Sequence, residues 1–183
     1  MPMSRPWPTI VLVFAIVAGT HDTAGAEPLA PWRLALAGGV ATDHSIEQIR
    51  LSLRHGLGPG WRTDSLTVTP QWELAVARWE PSSGERGDAM GSVSLRLVLR
   101  IASGGPWFAE AGTGPMYISD RETVDGEDWG LRLEFDSHVG VGAYLDHSRQ
   151  WALSYQIHHA SNASLGDVNP GVDYHLLALA WAY

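Results

Sequence analysis

The sequence predicts an all-β fold, an eight-stranded antiparallel transmembrane β-barrel, on three observations. Beyond residue 26 the chain breaks into segments of roughly ten residues with alternating apolar and polar side chains, separated by Gly, Pro, Asp and Ser clusters. No run of about twenty apolar residues remains there to make a spanning helix, so a membrane crossing has to use strands. Nine Trp and five Tyr are many for a chain this short, and the last segment runs out at the aromatic Tyr183; such residues gather at membrane interfaces.

The elements follow in order. Arg5, an apolar stretch from Ile10 to Ala18 and the small residues Ala24-Gly25-Ala26 before Glu27 have the order of a cleaved secretory signal, too short in its apolar core to span a bilayer. Residues 1–26 are therefore expected to be removed, leaving 27–183 as the barrel domain. The strands are expected near Trp32–Val40, Ile46–His55, Gln71–Glu80, Ser92–Ile101, Trp107–Ile118, Leu131–Tyr144, Trp151–Ala160 and Val172–Tyr183. Alternation is clearest in the fourth, where Val93, Leu95, Leu97 and Leu99 oppose Ser92, Ser94, Arg96 and Arg100. The second sets Ile49, Leu51 and Leu53 against Arg50, Ser52 and Arg54; the sixth sets Leu131, Leu133 and Phe135 against Arg132, Glu134 and Asp136. Arginines and acids on one parity suggest an interior of paired charges. A soluble sandwich would turn that parity to water and bury the apolar one, and alternation alone does not separate the two. The stretch from Gly56 to Thr69 is long for a turn and leaves room for an extra short strand or a shifted boundary.

Composition narrows the chemistry. The formal net charge is -8, with arginines but no lysine, which argues against a nucleic-acid partner and removes Schiff-base and Ser-Lys mechanisms. There is no cysteine, so an exported chain must hold together without disulfides. The histidines show no ligand spacing for a catalytic zinc, and no cofactor is expected. Asp120, Glu122, Asp125, Glu127 and Asp128 form an acidic loop that reads as solvated.

Three polar residues stand out near the C-terminus. His159 and Ser161 share the odd parity of Trp151, Leu153, Tyr155 and Ile157; Asp173 shares that of Leu177, Leu179 and Trp181. Side chains two apart on a strand share a face, with Cα atoms about 6.5 Å apart, so a base, a hydroxyl and an acid gather at the ends of two neighbouring strands on the lipid-facing side. Asn162 beside the serine offers an amide for an oxyanion. His158 has the opposite parity and should point inward, and His175 lies on the outer face below Asp173. With eight strands and both ends periplasmic, the Asn162–Gly171 loop lies outside the cell.

The run His159-Ala160-Ser161-Asn162-Ala163, followed by Asn169-Pro170-Gly171-Val172-Asp173-Tyr174, resembles the C-terminal motif of the PagL-type lipid A 3-O-deacylases. The likeness reaches upstream through Phe108-Ala109-Glu110-Ala111-Gly112 and Gly140-Val141-Gly142. It implies a bacterial outer-membrane enzyme that removes the ester-linked acyl chain at position 3 of lipid A in the outer leaflet. By position it makes Ser161 the nucleophile, His159 the base and Asp173 the acid, with Asn162 and Asn169 as oxyanion or substrate-binding residues. The family pattern carries glutamate, one methylene longer, where this chain has Asp173. The implied partners are lipopolysaccharide and the surrounding outer-membrane lipid, with a homodimer left open. The competing readings are a non-catalytic structural or adhesion barrel and a secreted soluble sandwich.

Overall fold

An extended chain sorts residues of alternating polarity onto two faces, and a sheet closed on itself hides one face while presenting the other. The computed structural model describes residues 32–42, 44–82, 88–122 and 128–183. The expected signal segment, residues 1–26, lies outside the described residues, as do Asp125 and Glu127 of the acidic loop. The strands are β1 (Arg33–Ala41), β2 (Ile46–Gly56), β3 (Trp61–Arg62), β4 (Leu66–Pro81), β5 (Met90–Ser103), β6 (Trp107–Ile118), β7 (Leu133–Tyr144), β8 (Trp151–Ser161) and β9 (Val172–Ala182). Each long strand pairs antiparallel with its neighbours. β9 pairs with β1, and β2 pairs with β4, so the eight long strands close into a ring.

The faces decide between barrel and sandwich. On β5, Arg96 is 1% exposed and its neighbour Leu97 is 60% exposed, the reverse of a soluble sandwich. The outward wall is an apolar belt, the surface a hydrocarbon layer solvates. Inside, the inward arginines and acids pair across strands. Asp136 of β7 receives Arg50 of β2 at 2.7 Å and Arg96 of β5 at 3.0 Å. Glu110 of β6 receives Arg54 at 2.8 Å and Arg100 at 2.8 Å, while Glu73 of β4 pairs with both Arg54 and Arg96. His158 of β8 and the Tyr174 hydroxyl of β9 each lie 2.9 Å from Asp136, so the network ties seven strands together. A buried charge without a partner costs several kcal/mol, by a rough estimate, which is why these groups come as a connected set. Above it, at the end carrying the connections 119–132 and 162–171, most inward side chains are apolar, with Gln48 and Glu134 buried among them. Trp79 meets Trp129 and Tyr174 edge-on at 5.9 and 5.0 Å between ring centroids.

Most strand ends fall within one or two residues of expectation, and two differences extend a strand or change which side chains face the interior. β4 begins at Leu66 rather than Gln71 and pairs with β5 out to Leu66↔Ser103; β3 then pairs back on it through Trp61↔Val68. Pro70 lies inside β4 just beyond the last β2 pair, Gly56↔Gln71, at an edge position where proline is tolerated. β7 begins at Leu133 rather than Leu131, so Arg132 is exposed and takes no part in the interior network.

Candidate active site

β8 and β9 pair in a register that makes His159 and Asp173 direct partners. Both side chains face outward, and His159 Nδ1 lies 2.7 Å from Asp173 Oδ1. The shorter acid therefore reaches the imidazole, because direct cross-strand partners start close together. A carboxylate on Nδ1 holds the ring in the tautomer that leaves Nε2 free to take a proton.

Two serines flank His159. Ser161 lies two residues along β8 on the same face, and Ser137 of β7 is its cross-strand partner. The ring's lean distinguishes them. A Cβ on Gly171 would sit 3.0 Å from His159 Cε1 and 3.5 Å from Nε2, so the imidazole lies over this glycine. The β8–β9 register, with Ala160 opposite Val172, puts Gly171 opposite Ser161. Nε2 is thus carried toward the Ser161 end of the strand. Gly171 also has a φ of 66°, a left-handed backbone that other residues adopt only at a penalty.

Past Ser161 the chain turns sharply. Ala163 and Ser164 both take positive φ, 53° and 62°, and Leu165 N–H donates to Asn162 O at 3.0 Å. Two consecutive non-glycine residues in that region are held only where their surroundings impose it. Asn162 does the imposing. Its side chain is fully buried, and its amide donates to Trp129 O at 3.0 Å and Val168 O at 2.6 Å. With both amide hydrogens engaged, the side chain has none free for the oxyanion role expected of it; its part here is to bind the 162–171 loop to the 119–132 loop. Its own N–H donates to Asn169 Oδ1 at 3.0 Å, which orients the Asn169 carboxamide.

Gly171 escaped the sequence reading, although a Pro-Gly pair just before a strand carrying a candidate acid was a signal for it. Ser137 was hidden because its importance lies in a cross-strand register, which sequence spacing does not carry. His175 faces outward as expected and bridges the Tyr155 hydroxyl to Thr42 Oγ1, the latter at 2.9 Å. Among the described residues no cluster of three or more His, Cys, Asp or Glu side chains is disposed to hold a metal.

Comparison with known proteins identifies the family and the fold. The family model described as lipid A 3-O-deacylase (PagL) matches residues 47–182. Among solved structures, the crystal structure of the outer membrane enzyme PagL superposes with a TM-score of 0.69 at 24% identity, covering 82% of this chain and 99% of that one. The crystal structure of Neisserial surface protein A aligns at 11% identity with a TM-score of 0.47, over 85% of this chain and 96% of that one. Among curated proteins none matches. The match spans most of the chain, including every strand of the candidate site, and the chain is therefore a member of the PagL family of lipid A 3-O-deacylases, built as an outer-membrane β-barrel.

Proposed function

We propose that the chain is a serine esterase acting on lipid A in the outer leaflet, with Ser161 as nucleophile, His159 as general base and Asp173 as the orienting acid. Ser161 Oγ attacks the carbonyl carbon of the 3-linked acyl ester as His159 Nε2 takes its proton. Collapse of the tetrahedral intermediate breaks the bond to the sugar oxygen, which leaves with the proton from His159. Water, activated by the same imidazole, then releases the fatty acid and restores Ser161. The Asn169 amide hydrogens are assigned to the oxyanion, since its Oδ1 is already anchored by the Asn162 N–H. The observation that carries this reading is the 2.7 Å His159–Asp173 contact on an outward wall, with the ring leaning over Gly171 toward Ser161. Such a site is open to a lipid lying beside the barrel and closed to substrates that never enter the bilayer.

The test is release of free fatty acid from lipid A by the purified barrel in mixed micelles, with Ser161→Ala beside it. Release by wild type alone supports the assignment. No release by wild type, with the barrel folded, points instead to a non-catalytic structural protein.

A further inference from the structure

Away from the strand ends, the outward wall is apolar except at a few positions, and two of these extend the row of the candidate site. The β6–β7 register pairs Thr113 with Ser137, the β7–β8 register pairs Ser137 with His159, and the β8–β9 register pairs His159 with Asp173. The four side chains form one row across neighbouring strands. Continuing sideways, the row turns apolar at Leu97, the β5 partner of Thr113. Thr113 Oγ1 and Ser137 Oγ are 2.7 Å apart.

The row also descends. Asp173 is the second residue of β9 and His159 lies two residues inside the end of β8, whereas Ser137 is the fifth residue of β7 and Thr113 lies five inside the end of β6. Strands about 4.8 Å apart, tilted by roughly 40°, lower each successive position by about 3 Å. The hydroxyl pair thus faces hydrocarbon below the level of His159, with the exposed apolar Leu97 and Val139 beside it on the outward wall. When two hydroxyls bond to each other, one donates and the other keeps its hydrogen, so the pair offers one free donor together with lone pairs. A charged headgroup or a sugar is held nearer the bilayer surface. An oxygen at this depth has to ride on the acyl chain itself.

The geometry points to Ser137 and Thr113 as specificity-determining residues that bind an oxygen substituent a few carbons from the scissile carbonyl on the acyl chain being removed. This rests on the deacylase reading above. With the ester carbonyl at Ser161, the chain runs down the wall past His159, and its first carbons pass Ser137, one strand spacing away. A hydroxyl there both accepts from and donates to the pair; a plain methylene leaves the pair's free hydrogen without a partner.

The experiment compares two synthetic esters of equal chain length on the same glucosamine lipid, one with a hydroxyl on the third acyl carbon and one without, hydrolysed by wild type, Ser137→Ala and Thr113→Val in mixed micelles. The readout is the ratio of kcat/KM for the two esters, so a general loss of activity cancels. Wild type is expected to favour the hydroxylated ester, and each variant to lower the ratio by roughly five- to tenfold, the value of one hydrogen bond. Ser137→Thr, which keeps a hydroxyl, should keep the preference. A ratio within twofold of wild type in both variants overturns the inference, as does a wild type that shows no preference. Hydrolysis of neither ester by wild type overturns the deacylase reading itself, and this inference with it.

Discussion

His159 and Asp173 are cross-strand partners whose Nδ1 and Oδ1 atoms lie 2.7 Å apart on a wall that faces lipid. A polar pair in that position is difficult to explain by stability, because an exposed hydrogen-bonded pair of this kind contributes about 1 kcal/mol or less and an apolar pair would suit the bilayer better. The explanation proposed above is chemical, and its consequences are measurable.

In the proposed mechanism the acid orients while the serine reacts, so their losses should differ. Ser161→Ala is expected to lower kcat by a factor on the order of 10⁴ or more, and Asp173→Asn by a smaller factor. Asp173→Glu should keep most activity, since the direct pairing leaves room for a longer side chain to turn. Equal and complete loss in Ser161→Ala and Asp173→Asn, with both barrels folded, would contradict this ordering.

Gly171→Ala tests the lean of the imidazole. The new Cβ would press on His159 Cε1 at 3.0 Å and place an alanine at a φ of 66°. The backbone penalty is about 1–2 kcal/mol, which a closed barrel tolerates. Hydrolysis should fall by at least roughly tenfold through displacement of the base. Heat-modifiable gel migration should remain as in wild type, and unchanged hydrolysis would count against the orientation described.

The interior network predicts where stability resides. Arg96→Met leaves Glu73 and Asp136 each short of a partner and should destabilise the barrel by about 3–5 kcal/mol in urea unfolding from micelles. Arg78→Ala, at the exposed Arg78–Glu80 pair, should change it by less than about 1 kcal/mol. Similar values for the two would mean that the inward charges are not a connected set.

At the opposite end, the β7–β8 turn carries a pH-dependent element. The Asp146 carboxylate accepts from the Ser148 hydroxyl, from Trp151 N–H at 2.7 Å and from Gln150 N–H at 3.2 Å. These bonds, that from Ser148 foremost, hold its carboxyl below the ordinary value of 3.8. A carboxylate with a depressed folded pKa stabilises above the unfolded pKa and loses that contribution as pH falls through the folded one. Protection of the Trp151 amide from hydrogen exchange, corrected for intrinsic rate, should therefore be full at pH 6 and decline below pH 4. Asp146→Asn should remove most of that dependence.

Much of this was legible in the sequence because a two-residue period is a direct image of two faces. Val93 to Leu99 against Ser94 to Arg100 identified both sides of β5, and His158 and His159 were assigned opposite faces by parity alone. Register was not legible. That Ser137 stands beside His159 and that Asn162 turns inward to hold two loops depend on which residues oppose one another, and local pattern does not encode that. Arg132 misled for a related reason. It was read by the alternation of its neighbours, while its place depended on where β7 begins.

The most direct test is mass spectrometry of lipid A from cells carrying the wild-type protein or Ser161→Ala at matched outer-membrane levels. Loss of the 3-linked acyl chain with wild type, and intact lipid A with Ser161→Ala, is the predicted result. Loss of that chain with both proteins would contradict Ser161 as the nucleophile and move attention to Ser137, the other serine beside His159.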